Sequence, residues 1–213
     1  MAAGSGRRRL VVFGGLAVAV AAALMAQAPA DLVVRNARVV HGDGRITPRA
    51  TIVVRGAVIT MVEPAARERP AFAEPAAARV IDAAGRTMIP GLIDAHVEPW
   101  TPGVFLKHGV TTVRDLHSDA DAIYPMAREE SPERPRVVTS GPLIDGPGSF
   151  WKNASQVGTV GEARAAVRRQ VDAGARVIKV YTRLQPALVA VIAAEARARG
   201  VPVAAHLGKT TAV

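Results

Sequence analysis

Ile89-Pro90-Gly91-Leu92-Ile93-Asp94-Ala95-His96-Val97-Glu98 is the stretch on which the fold turns. Pro90 and Gly91 end whatever precedes them, and Leu92 to Val97 then reads as a short apolar strand. In a strand, alternate side chains share a face, so Asp94, His96 and Glu98 are expected to point the same way. His96 and Glu98 fall at the strand's C-terminal end. In a β/α barrel that end is the functional mouth, and an imidazole beside a carboxylate there makes a credible metal pair, although such a pair taken alone is more often a hydrogen-bonded structural one.

Downstream the chain repeats strand and helix. Thr111 to Leu116, Arg136 to Ile144, Arg176 to Thr182 and Pro202 to Leu207 are the further strand candidates, and such alternation implies a parallel sheet with right-handed crossovers. Two intervening helices are well marked. One opens on the capping-box pattern Thr159-Val160-Gly161-Glu162 and stops at Gly174; the other begins at Pro186 and stops at Gly200. Five strands between residues 90 and 213 keep the pace of an eight-stranded barrel, which needs about 250 residues to close. The expected fold is therefore α/β, a partial (β/α)8 TIM-type barrel of about five βα units. An open doubly wound sheet is the alternative, but no Gly-rich phosphate loop follows the first strand. A five-strand arc would leave an uncovered apolar interior, with Leu92 and Val177 among its lining residues.

Val177-Ile178-Lys179-Val180-Tyr181 sets a lysine in the middle of an apolar strand, with Tyr181 on its face. An ammonium buried without a partner is costly, so Lys179 must reach the mouth, pair with an acid or lose its charge. Val203-Ala204-Ala205-His206 ends the last strand on a second His. Three strand ends carrying His, Lys and His are hard to explain by packing alone. Trp100, His117 and Trp151 follow strands, where βα loops shape a substrate pocket, and Tyr181 joins them as a pocket candidate; either Trp could equally cap the barrel's hydrophobic layers. An exposed loop His is the plainer expectation for His117.

Upstream, Leu32 to Val40, Thr51 to Arg55 and Ala57 to Val62 read as β-rich runs separated by Gly42-Asp43-Gly44 and Gly56, an expected small antiparallel sheet. Glu63 to Ala78 reads as a surface loop, and Val80 to Asp82 resumes strand character. Residues 31–89 are thus expected to form a small β-sandwich-like domain, followed by the barrel over 90–213. Arg7-Arg8-Arg9, the apolar run Leu10 to Ala26 and the small residues up to Ala30 have the order of a secretory signal. Residues 1–30 are expected to be a signal peptide, or a membrane anchor if uncleaved, since about 17 apolar residues stand at the lower limit of a span. The expected location is periplasmic or extracellular, with membrane contact only through that segment.

Of the 213 residues, 49% are hydrophobic and 4% aromatic, which argues for a folded chain with a core of small aliphatic side chains. The formal charge of +9 is spread at helical spacing among acids, with no interleaved aromatics, so a nucleic-acid partner is not expected. The absence of cysteine excludes disulfides and thiolate metal sites.

Taken together, Ile89-Pro90-Gly91-Leu92-Ile93-Asp94-Ala95-His96-Val97, Thr111-Thr112-Val113-Arg114-Asp115, Gly141-Pro142-Leu143-Ile144-Asp145-Gly146, Ile178-Lys179-Val180-Tyr181 and Pro202-Val203-Ala204-Ala205-His206 resemble the metal-dependent amidohydrolases, especially the imidazolonepropionase-like and prolidase-like group. The resemblance runs from Asp31 to the end and corresponds to the N-terminal portion of that family. It implies one or two divalent ions, zinc first with manganese or iron as alternatives, and hydrolysis of an amide, cyclic amide or dipeptide carbon-nitrogen bond by a metal-activated water. His96 matches the first His of the strand-1 motif, Lys179 the strand-4 lysine that is carboxylated and bridges two metals, and His206 the strand-5 ligand. Glu98 stands where the family has a second His, which would favour harder metals if it ligates. The strand-6 His and strand-8 Asp of the family have no counterpart, so the chain by itself is expected to be inactive. A non-catalytic fragment and a half-barrel binding module are the rival readings.

Overall fold

The computed structural model describes residues 29–65, 75–98 and 101–208. Most of the expected signal segment, and Trp100, lie outside them. Among the described residues no helix is long and apolar enough to cross a membrane. The chain divides into two compact units, Met1–Pro90 and Gly91–Val213.

In the first unit, β1 (Ala30–Val40), β2 (Ile46–Arg55), β3 (Val58–Pro64), β4 (Ala77–Asp82) and β5 (Thr87–Met88) form one sheet in the order β3-β2-β1-β4, with β5 also on β1. The hairpin from β1 to β2 turns through Gly44 at φ 83°, with His41 N–H donating to Arg45 O at 2.8 Å. Gly56 at φ 56° closes the next hairpin. Both positions need a left-handed backbone, which glycine supplies without a steric penalty. The three runs expected to pair antiparallel do so, β1 with β2 and β2 with β3, and two further strands extend the sheet. These two, β4 and β5, run parallel to β1, in the register Leu32↔Arg79 and Arg38↔Thr87. Among the described residues the first unit holds one mixed sheet. The reading of Glu63 to Ala78 as a loop was too broad at both ends, since β3 runs to Pro64 and β4 starts at Ala77.

The second unit alternates strand and helix. β6 (Leu92–Val97), β7 (Val110–Asp115) and β8 (Arg136–Thr139) form one parallel sheet; β9 (Ile144–Asp145), β10 (Ser155–Gln156), β11 (Ile178–Val180) and β12 (Val203–Ala205) form a second, in the order β10-β9-β11-β12. Arg176 N–H donates to Thr139 O at 2.9 Å and ties the two together. The expected strand from Arg136 to Ile144 is broken in two because Gly141, at φ 65°, bends the chain between β8 and β9.

Among the described residues, four α-helices accompany the strands, α1 (Pro102–Phe105), α2 (Ala120–Arg128), α3 (Val160–Ala173) and α4 (Pro186–Ala198), with a 3-10 turn over Leu106–His108. The capping box of α3 forms as its sequence predicts: Glu162 N–H donates to Thr159 Oγ1, and Thr159 N–H donates to the Glu162 carboxylate at 3.0 Å. Gly174 ends the helix at φ 116°, and α4 starts on Pro186. Val113, Val137, Ile144, Ile178 and Val180 from both sheets share one core with Ile123, Ala163, Val167, Leu188 and Ile192 from the helices. Each fully buried Val, Leu or Ile contributes about 1.5–3 kcal/mol, so this layer fixes which face of every strand is left for other work. Of the two residues expected to line an uncovered interior, Leu92 is 49% exposed but Val177 only 2%, because Val177 is packed within the fold.

Candidate active site

β6 carries an irregularity that strict alternation did not foresee. Asp94 pairs with Val113 and Val97 with Asp115, so three steps on β6 answer two on β7. This bulge puts Asp94 and Val97 on one side and His96 and Glu98 on the other. Asp94 therefore leaves the face it was expected to share, and its Oδ1 accepts the His96 N–H at 3.0 Å. Val97 enters the helix-side core. His96 and Glu98 stay together, with His96 Nε2 2.9 Å from Glu98 Oε1.

Lys179 lies at the centre of β11, between Ile178 and Val180, which face the helices. Its own side chain points the opposite way and is 1% exposed. The burial is compensated: Lys179 Nζ lies 3.0 Å from Glu98 Oε1. One carboxylate oxygen thus serves both an imidazole and an ammonium. Burial raises the Glu98 pKa, but the hydrogen bonds from Lys179 and His96 and the nearby positive charge outweigh it, and the carboxyl is held below its ordinary value.

His206 follows β12. The register Ile178↔Val203, Lys179↔Ala204, Val180↔Ala205 carries forward to set it beside Tyr181. The two rings meet edge to face at 4.8 Å, and His206 N–H donates to Val180 O at 3.0 Å. Lys179, Tyr181 and His206 accordingly belong to the sheet face that the helices leave free. His96, Glu98 and Lys179 are joined directly, whereas His206 packs on Tyr181. Among the described residues, no three of His, Cys, Asp and Glu gather as a metal cluster.

His117 is 1% exposed, not an exposed loop residue. Its Nδ1 accepts the Leu143 N–H at 3.3 Å, so the neutral ring carries its proton on Nε2. The Asn153 side chain bonds the ring and in turn donates to Asp119 Oδ1 at 2.7 Å. Trp151 packs on His117 at 4.6 Å. Burial depresses the His117 pKa, although Glu98, Asp115 and Asp119 pull the other way. This network steadies the loop that carries Trp151 and the 81% exposed Phe150.

Sequence reasoning passed over Asp145, which is fully buried at the end of β9. Its Oδ1 accepts from Gly146 N–H and Arg183 N–H, each at 2.8 Å, and so ties the loop after β9 to the loop after β11. An acid placed before a glycine at a strand end was the available signal.

A model of the amidohydrolase family matches residues 104–213. The chain is 37% identical over 93 residues to adenine deaminase 3 of Rhizobium meliloti (strain 1021), covering 43% of this chain and 14% of that protein. Among solved structures it is similar to a protein assigned to the prolidases from Bifidobacterium longum, at 28% identity and TM-score 0.64, covering 83% of this chain and 49% of that one. It is also similar to a prolidase solved with N-methylphosphonate-L-proline, at 22% identity and TM-score 0.63, covering 83% and 56%. The chain thus spans about half the length of these solved proteins and a smaller share of the curated relative.

Proposed function

We propose, from the premise that this chain belongs to the amidohydrolase family, that it supplies part of the active site of an exported, metal-dependent hydrolase acting on a carbon-nitrogen bond. The observation that carries the reading is the buried Lys179 facing Glu98 and, through it, His96, on the sheet face the helices leave free. Such an arrangement costs desolvation and is poorly explained by stability, since apolar residues would pack there at least as well. Residues 1–30 serve as the export signal in this reading, and the periplasm or extracellular space is the destination.

The donor set fits a divalent cation in kind. His96 offers an imidazole nitrogen, Glu98 a carboxylate oxygen, and Lys179 and His206 stand on the same face. These four are the proposed ligands, Lys179 only once carboxylated, since its ammonium form has no lone pair to offer, with zinc the first candidate and manganese or iron next. A bound ion would supply Lewis-acid polarisation of the scissile carbonyl and a water of lowered pKa. The chain's own residues do the rest: Glu98 orients His96 and neutralises Lys179, and Tyr181 and Trp151 border the substrate. The similarity to a prolidase bound to a proline phosphonate makes dipeptides the first substrate class to test, ahead of cyclic amides.

One observation favours a second reading, a binding module without turnover: His96, Glu98 and Lys179 already satisfy one another, and no third acid or imidazole closes on them among the described residues. The two readings separate in an assay of the 213-residue chain against a panel of Xaa-Pro dipeptides with added zinc or manganese. Turnover abolished by chelator and by His96→Ala supports the hydrolase; metal binding with no turnover supports the module.

A further inference from the structure

Away from His96, Glu98 and Lys179, a cavity of about 320 Å³ lies between α2, the opening of β8 and the approach to β11. Three arginines line it, Arg128 at the end of α2, Arg136 at the first position of β8 and Arg176 just ahead of β11, together with Tyr124. No Asp or Glu is among its lining residues. We propose that this cavity is a binding site for a small, multiply charged oxyanion of the phosphate type.

The ordinary explanation for such arginines is that they neutralise helix C-termini, and it accounts for one of them. Arg128 Nη2 donates to Ala173 O at 2.9 Å, at the end of α3. Arg136 and Arg176 have no carboxylate partner and no side-chain hydrogen bond among the described residues. The two helix ends that approach the cavity, those of α2 and α3, each carry about half a negative charge. Against three guanidinium groups that leaves a surplus of about two positive charges, the complement of a dianion. Guanidinium forks match phosphate oxygens in geometry, and three from separate elements can hold a tetrahedral anion from several sides. The strand edge adds to this: β8 is paired along its β7 side, while its other side meets β11 only where Thr139 O accepts from Arg176 N–H. Val137 and Val138 also line the cavity, and an open sheet edge offers peptide dipoles to an anion. Arg136 opens β8 and Arg176 precedes β11, whereas Glu98 and His206 follow β6 and β12, so the site is independent of the proposed hydrolytic one.

The test is calorimetric titration of the whole chain with inorganic phosphate at fixed ionic strength, in the presence of chelator. One saturable site is expected, weakened at least tenfold in the Arg136→Gln, Arg176→Gln double variant, with sulfate competing and acetate not. Arg164→Gln on the exposed side of α3 and His96→Ala should leave it unchanged. Should the double variant fail to give the wild-type circular dichroism spectrum, the single variants Arg136→Gln and Arg176→Gln are measured instead, each expected to weaken binding several-fold. No saturable phosphate binding, equal weakening by Arg164→Gln, loss of binding in His96→Ala, or full binding by the arginine variants would overturn the proposal.

Discussion

Lys179 Nζ, on β11, and Glu98 Oε1, just past the end of β6, lie 3.0 Å apart, the lysine 1% exposed and the carboxylate one-fifth exposed. Removing one partner of a buried pair leaves an uncompensated charge, which costs about 3–5 kcal/mol. Glu98→Leu is therefore expected to lower unfolding stability by about that amount in urea titration, and the Glu98→Leu, Lys179→Met double variant to recover most of it. The pH dependence follows from the direction of the shift. Because the folded Glu98 carboxyl is held below its ordinary value of 4.5, the pair's contribution is complete above that value and is lost as pH falls through the depressed folded value. A double variant as unstable as the single one would show that the pair is not the source of the loss.

His117 gives a second pH signature. Burial holds its folded pKa below the ordinary 6.5, so the unfolded chain takes up the proton first as pH drops. Stability should be complete above 6.5 and decline below it, down through the depressed folded value. His117→Gln, which cannot take up that proton, should flatten this part of the stability profile measured by chemical denaturation between pH 7 and 5. An unchanged slope would mean that His117 is protonated equally in both states.

Thr159 and Glu162 exchange hydrogen bonds at the start of α3. Thr159→Ala should cost about 1 kcal/mol, as losses of N-caps generally do, and Thr159→Ser should cost much less. Thermal unfolding followed by circular dichroism distinguishes them; equal melting of all three forms would show that the cap is energetically idle.

Much of this architecture could be read from the residues. The helix ending at Gly174 and the one opening at Pro186 are local events, decided by a cap, a proline and a left-handed glycine, and they appear where the sequence puts them. The alternation Ile178-Lys179-Val180 likewise assigned faces correctly, because a strand flanked by helices leaves one parity to the core. Non-local pairing was less legible. The parallel placement of β4 beside β1 depends on which edge is open after the hairpins form, and the bulge that turns Asp94 away from His96 is set by the register with β7. His117 looked like a loop residue because nothing adjacent in sequence announces that Leu143 and Trp151 will close over it.

Glu98 also makes a prediction about metal choice. A carboxylate in place of an imidazole favours harder ions, so Glu98→His is expected to bind zinc more tightly than the parent chain does, by roughly tenfold or more, the scale at which a changed metal-site partner acts, and to lose relative preference for manganese. Competition titration against a chromogenic chelator measures both. Equal zinc binding by the His form would show that residue 98 is not a ligand, and weaker binding would overturn the argument from ligand softness.

The central claim is that His96, Glu98 and Lys179 form a site for a divalent cation, and metal titration of the intact chain tests it most directly. Calorimetry with zinc, on protein stripped by chelator, is predicted to show saturable binding that His96→Ala and Glu98→Ala each weaken by at least tenfold, while Arg164→Ala on the surface of α3 leaves it unchanged. Zinc binding unaffected by both substitutions, or no saturable binding to the folded chain, would contradict the account.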